Sequence, residues 1–359
     1  MANNATRSGH LMLDDGSASG VPGGALAHAG VEATLERVLL LGRGAVGDIA
    51  AGAATAITAN HGDDSVSILD GSAQAVETLV VDGVPLAVVI ADHRAFVATS
   101  GTDHDAVSVI DLDTGNVTAT FRLAFGITAL AASPDGKRAY AARVHDAGVD
   151  IAVIDTAAER IGTIDIGRGP AAGIDALRVD PSGRRLYVAV TDDNGSQLIV
   201  VDAERARVQR VIGVGSPIRD IAYAGNVVYV LTSDRAVGGA VHVLDLSSHA
   251  VTDTIALGGA PTQLALSPDL SRAYVVDYDR IVVLCTLTLE VVDSLTVDAR
   301  PSCVALSPEG TRLYVADCAG AVSVFTVSST LEEIYTQFLV SDPILMGRSR
   351  ERELQPVTA

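Results

Sequence analysis

An all-β ring assembled from seven copies of one short unit is the fold that this 359-residue sequence predicts, and three recurrences predict it. The first is an aromatic that opens a β-rich run: Phe96, Tyr140, Tyr187, Tyr229, Tyr274 and Tyr314, with Ile57 in the same slot of the first copy, spaced 39 to 47 residues apart. The second is a turn just ahead of that run, as in Ser133-Pro134-Asp135-Gly136, Asp180-Pro181-Ser182-Gly183, Ser267-Pro268-Asp269-Leu270 and Ser307-Pro308-Glu309-Gly310. Proline presets φ for such a turn and glycine supplies its left-handed position. The third is an aspartate closing a Val/Ile run in five copies, at Asp70, Asp111, Asp155, Asp202 and Asp245, with Cys285 and Phe325 in that slot of the last two. A period of about 40 to 45 residues with about four short strands per unit belongs to a β-propeller. The expectation is a single seven-bladed β-propeller of four-stranded antiparallel blades spanning residues 33–330.

The third unit shows how each blade should be laid out. Ile127 to Ala132 reads as the inner strand, Arg138 to Ala142 as the second, Asp150 to Asp155 as the third and Ile161 to Ile166 as the outer one. Ring closure needs one blade shared between the chain ends. Arg37 to Gly44 parallels Thr163 to Gly169, an outer strand and its exit, so an N-terminal strand is expected to complete the last blade. A rival is Glu333 to Val340, which alternates as a strand and also carries an amphipathic helical face behind the capping pair Thr330 and Glu333. Residues 1–32 read as an N-terminal tail and 331–359 as a C-terminal extension, a short helix or strand followed by disorder.

The repeat resembles the YVTN family of propellers. The residues that carry the resemblance are Tyr314-Val315-Ala316-Asp317, Val107-Ser108-Val109-Ile110-Asp111 with Thr114-Gly115, and Thr254-Ile255-Ala256-Leu257-Gly258. It covers about residues 37 to 326 and implies the fold far more than the job. Such propellers include binding modules, surface proteins and relatives of lactonases and dehydrogenase subunits.

Charge excludes some partners. With 25 basic against 44 acidic residues the net charge is −19, which repels phosphate backbones, and a chain with no Trp has few stacking platforms, so nucleic acid is not expected. Lys137 is the one lysine, a bias that with the Ala, Val and Gly content suits a genome rich in G and C, as in actinobacteria. Cys285, Cys303 and Cys318 are too few and odd in number for a disulfide scaffold and fit a reducing compartment. The N-terminus lacks a secretory pattern, and no apolar run approaches the ~18–20 residues of a membrane span. A soluble, cytoplasmic, monomeric protein is the expectation.

Two sets of residues could carry chemistry. The loops between second and third strands share a face with the blade connections, and they hold twelve aspartates together with His61, His104 and His145 in successive blades. His61, His104 and His145 with Asp64, Asp105 and Asp146 make a candidate set for a divalent metal ion, since imidazole plus carboxylate suits Zn²⁺ or Mn²⁺. The competing reading is that Asp and Gly make good hairpin loops and protect sheet edges. The second set lies nearer the axis, on exits and first strands: Arg43 and Asp48, Arg168 and Asp175, Arg219 and Asp220, and Arg300 beside Cys303. Guanidinium groups gathered at the channel mouth would take an anionic ligand in bidentate fashion, unless they pair with those aspartates.

No linear catalytic motif is present: there is no Gly-x-Ser-x-Gly, phosphate loop, His-Glu-x-x-His or Cys-x-x-Cys. The sequence therefore points to a non-enzymatic binding or scaffold protein whose acidic loop face and channel mouth take a protein partner or a small anionic ligand. The alternative is a lactonase-like hydrolase, with or without help from a metal ion.

Overall fold

The computed structural model describes residues 33–70, 76–167, 169 and 171–328. The N-terminal tail, the C-terminal extension with its rival closing segment, and Arg168 lie outside the described residues. Within them, seven four-stranded antiparallel sheets form, six from consecutive strands and the seventh from two distant parts of the chain. That seventh sheet takes Pro301–Leu306, Arg312–Asp317 and Ala321–Thr326 from the end of the repeat and Thr34–Leu40 from its beginning. Thr34 lies opposite Thr326 and Leu40 opposite Ala321, so the N-terminal strand closes the ring as expected.

The third blade illustrates why these segments become strands. Ile127–Ala132, Arg138–His145, Gly148–Asp155 and Arg160–Asp165 carry β-branched and small residues that alternate between the two faces of a pleated sheet. The turn before the second strand is tied by Gly136 N–H donating to Ser133 O at 2.9 Å and by Arg138 N–H donating to Ser133 Oγ at 2.9 Å. In the sixth blade the same left-handed corner falls on Leu270, at φ +58°, where the other three Pro-turns have Gly136, Gly183 and Gly310. Strand-ending aspartates cap the next turn. Asp245 accepts from the Ser247 hydroxyl at 2.5 Å, from Ser248 N–H at 2.7 Å and from Ser247 N–H at 2.8 Å, and these bonds, the hydroxyl's foremost, hold its carboxyl down at about 2. Asp111, Asp155 and Asp202 do the same in their blades.

Packing lies between blades. The buried apolar residues fall into seven clusters among the described residues, and each joins two neighbouring sheets. The slot aromatics sit in them, with Phe96, Tyr140, Tyr187 and Tyr274 at most 1% exposed. One equivalent inner-strand position enters every cluster: Ile49, Val88, Leu130, Leu177, Ile221, Leu264 or Val304. Fully burying side chains of this size contributes about 1.5–3 kcal/mol each, so the repeated positions account for the ring.

Candidate functional site in the central channel

The seven inner strands surround a central channel of about 760 Å³. Each inner strand carries a β-bulge near its start, between Val46 and Asp48 in blade 1 and at the matching place in every other blade. A bulge re-aims one side chain, and here it sets one residue per blade on the channel wall. Taken from blade 1 to blade 7 these are Gly47, Leu86, Thr128, Asp175, Arg219, Thr262 and Ser302. They form the mouth on the face that also carries the loops between second and third strands.

The residue after the bulge forms the next tier: Asp48, Ala87, Ala129, Ala176, Asp220, Gln263 and Cys303. An inner strand leaves one edge of unpaired N–H groups toward the axis, and polar members of this tier bond to it. Asp48 Oδ2 accepts from Val88 N–H of blade 2 at 3.0 Å. Asp220 Oδ2 accepts from Leu264 N–H of blade 6 at 2.9 Å, and Gln263 Oε1 from Val304 N–H of blade 7 at 2.7 Å. Each thus bonds one blade to the next. Both aspartates also accept from the N–H that follows them in sequence, at Ile49 and Ile221.

The third donor to each carboxylate differs. Asp220 meets a guanidinium, Arg178 Nη2 at 2.6 Å, from two positions further along the blade 4 inner strand. Asp48 meets a neutral amide, Gln263 Nε2 at 3.2 Å, reaching from blade 6. Burial drives the Asp48 carboxyl up to about 6, and its backbone bonds and the charge of Arg178 offset only part of that. Asp220 is also raised by burial, with Arg178 opposing. Cys303 is 1% exposed, and its thiol is pushed well up by burial and then by the nearby Asp48 charge.

The sequence-derived candidates separate in this frame. Arg43 does not reach Asp48; its Nη1 pairs with Asp63 at 3.2 Å. Arg219 and Asp220 do not pair either, because the bulge aims consecutive side chains apart, and Asp220 takes Arg178 instead. Arg300 lies over the Tyr278 ring, 4.8 Å from its centroid, as a cation–π contact. The described arginines do not gather into one anion clamp. Asp175 accepts from Thr191 Oγ1 at 2.5 Å. Its carboxyl is raised by crowding in the wall, with Thr191 and Arg219 working against that.

Among the described residues the three histidines share no partner. His61 stands over the mouth: a Cβ on Gly47 would lie 2.3 Å from its Cε1, so glycine there makes room for the ring. His104 Nε2 lies 3.9 Å from Asp82, and His145 Nε2 lies 3.5 Å from Asp150, which Arg143 already holds bidentately at 2.8 Å. Asp105 is buried and accepts from Gly126 and Ile127 N–H at 2.8 and 2.9 Å, tying blade 2 to blade 3. Asp64 occupies a left-handed turn position at φ +52°, and Asp146 is exposed. Among the described residues no three His, Cys, Asp or Glu side chains come together to hold a metal.

Sequence reasoning passed over Arg178 and Gln263. A signal for Arg178 was there: the fourth inner-strand position, counted from the bulge, reads Ala50, Val89, Ala131, Arg178, Ala222, Ala265 and Ala305, one cation in a column of small apolar residues.

No family model matches the chain. The "Seven-bladed beta-propeller protein Rv1057" of Mycobacterium tuberculosis is 33% identical over 274 residues, covering 66% of this chain and 70% of that protein. This chain belongs to the seven-bladed β-propeller proteins. A second such protein, from Mycolicibacterium smegmatis, is 47% identical over 195 residues, covering 54% of this chain and 53% of its own length. Among solved structures, Kuenenia stuttgartiensis hydrazine synthase superposes with a TM-score of 0.68 at 20% identity, covering 78% of this chain and 95% of that one. That likeness is one of fold. No helix among the described residues is long and apolar enough to cross a membrane.

Proposed function

We propose that this propeller, of the YVTN type by its repeat, is a non-catalytic binding protein that holds a small polar ligand in its central channel. The observation that carries this is the channel itself. Its volume of about 760 Å³ lies within the ~300–1,000 Å³ usual for small-molecule sites, and polar groups converge on one side of its wall. Asp48 has a proton affinity suited to general base work, but its oxygens already accept three hydrogen bonds. That arrangement braces the ring rather than offering a base. The acidic loop face remains available to a protein partner, and free Cys285, Cys303 and Cys318 fit a reducing compartment.

The test is a thermal-shift and calorimetric screen of small polar metabolites on the full-length protein and on a Thr128→Trp variant. Thr128 is an exposed mouth residue, so the indole should plug the channel without disturbing the core. Compounds that raise the melting temperature of the wild type and not of the variant support the reading. A wild type that no compound shifts, or hits that persist in the plugged variant, would sink it.

A further inference from the structure

Two opposite charges stand on adjacent blades of the channel mouth without touching. Asp175 and Arg219 occupy the same bulge position on blades 4 and 5 and both line the channel. They form no ion pair, although the charge of Arg219 is close enough to act on the Asp175 carboxyl. Other arginines of this face and channel have found carboxylates: Arg43 with Asp63, Arg143 with Asp150, Arg178 with Asp220 and Arg280 with Asp277. Arg219 has neither a hydrogen bond nor an ion pair among the described residues. Asp175 has one hydrogen-bond donor, Thr191, which leaves acceptor capacity toward the channel. The flanking mouth residues, Thr128 and Thr262, add hydroxyls on either side of the two charges. Just below the mouth on this side the wall is apolar at Ala129 and Ala176.

We infer that the channel mouth binds a zwitterion, an α-amino acid with a small apolar side chain, with its carboxylate on Arg219 and its ammonium on Asp175. This rests on the channel-binding reading above and names its ligand class. The guanidinium fork suits a carboxylate in bidentate geometry, and a carboxylate beside hydroxyls suits an ammonium. The ligand would bridge the two charges that the protein holds apart. Its side chain would cover Ala129 and Ala176.

Isothermal titration calorimetry on the full-length protein tests this with three probes of one carbon skeleton: L-leucine, 3-methylbutylamine lacking the carboxylate, and 4-methylpentanoate lacking the ammonium. L-leucine is expected to bind at least tenfold more tightly than either fragment, since each fragment leaves one charge without a partner. Arg219→Ala and Asp175→Ala should each weaken L-leucine by tenfold or more. Arg219→Ala should leave the amine unchanged, and Asp175→Ala should leave the acid unchanged. Both residues are exposed, so unchanged thermal unfolding will confirm that the variants fold. Equal affinity for all three probes, or L-leucine binding untouched by both substitutions, overturns the proposal. A polar compound from the screen that Thr128→Trp blocks while L-leucine does not bind overturns the zwitterion assignment and leaves channel binding standing.

Discussion

On the side of blades 2 to 4 the residue after the bulge is alanine three times over, at Ala87, Ala129 and Ala176, while from blade 5 round to blade 1 it is Asp220, Gln263, Cys303 and Asp48. The backbone is the same on both sides, with the same bulge and the same pairing to the second strand. A polar side chain at this position is therefore not a condition for forming a blade. Of these, Asp220, Gln263 and Asp48 each bond to the next blade, and Gln263 also to Asp48, at the expense of burying charge at the two aspartates. The alanine half shows what the fold needs, and the polar half shows what has been added to it.

The largest way to break that contrast is Asp220→Ala. It leaves the N–H groups of Ile221 and Leu264 and the guanidinium of Arg178 without their acceptor, and should lower the unfolding free energy in denaturant by about 4 kcal/mol. A loss below about 1 kcal/mol would mean that water replaces the carboxylate freely.

Next comes pH. Folded Asp48 holds its proton up to about pH 6, against 3.8 for an ordinary aspartate. Because the folded state binds this proton more tightly than the unfolded one, Asp48 reduces stability progressively as pH rises from about 4 to about 6, and fully above that. The cost is at most about 3 kcal/mol. Between pH 4 and pH 7 the stability of Asp48→Asn should thus gain on that of the wild type. A difference that does not move with pH would show that the carboxyl titrates normally.

Gln263→Ala removes the acceptor of Val304 N–H and a donor to Asp48, and should lower unfolding free energy by about 1–2 kcal/mol. Smallest of all is Ala87→Ser, which adds one hydroxyl at the half-buried alanine facing the channel. It should change stability by less than about 0.5 kcal/mol. A larger change there would erase the distinction between the two halves.

The ring was legible in the sequence because its causes repeat. Slot aromatics, Pro-turns and strand-ending aspartates recur at one period, and the match of Arg37 to Gly44 with an ordinary outer strand marks the closing strand. The site was legible only in part. His61 stood out as a departure from the repeat and does stand at the mouth, but Arg43 and Arg300 settle on Asp63 and Tyr278. Linear spacing could not show which neighbour an arginine turns to, because the bulge separates Arg219 from Asp220 and brings Arg178 of another blade to the carboxylate. Gln263 was invisible for a related reason: its partners, Val304 and Asp48, belong to two other blades.

The polar half of the channel is an addition to a fold that stands without it. The double variant Arg178→Ala, Asp220→Ala tests it most directly, because it gives blades 4 and 5 the alanines that blade 3 has at Ala129 and Ala131. Removing both partners leaves no guanidinium unpaired, and only the N–H groups of Ile221 and Leu264 stay without their acceptor, so its unfolding free energy should recover part of the way toward wild type, above that of Asp220→Ala alone. A double variant as unstable as the single one, or less stable, would contradict the claim and make the ion pair part of the fold.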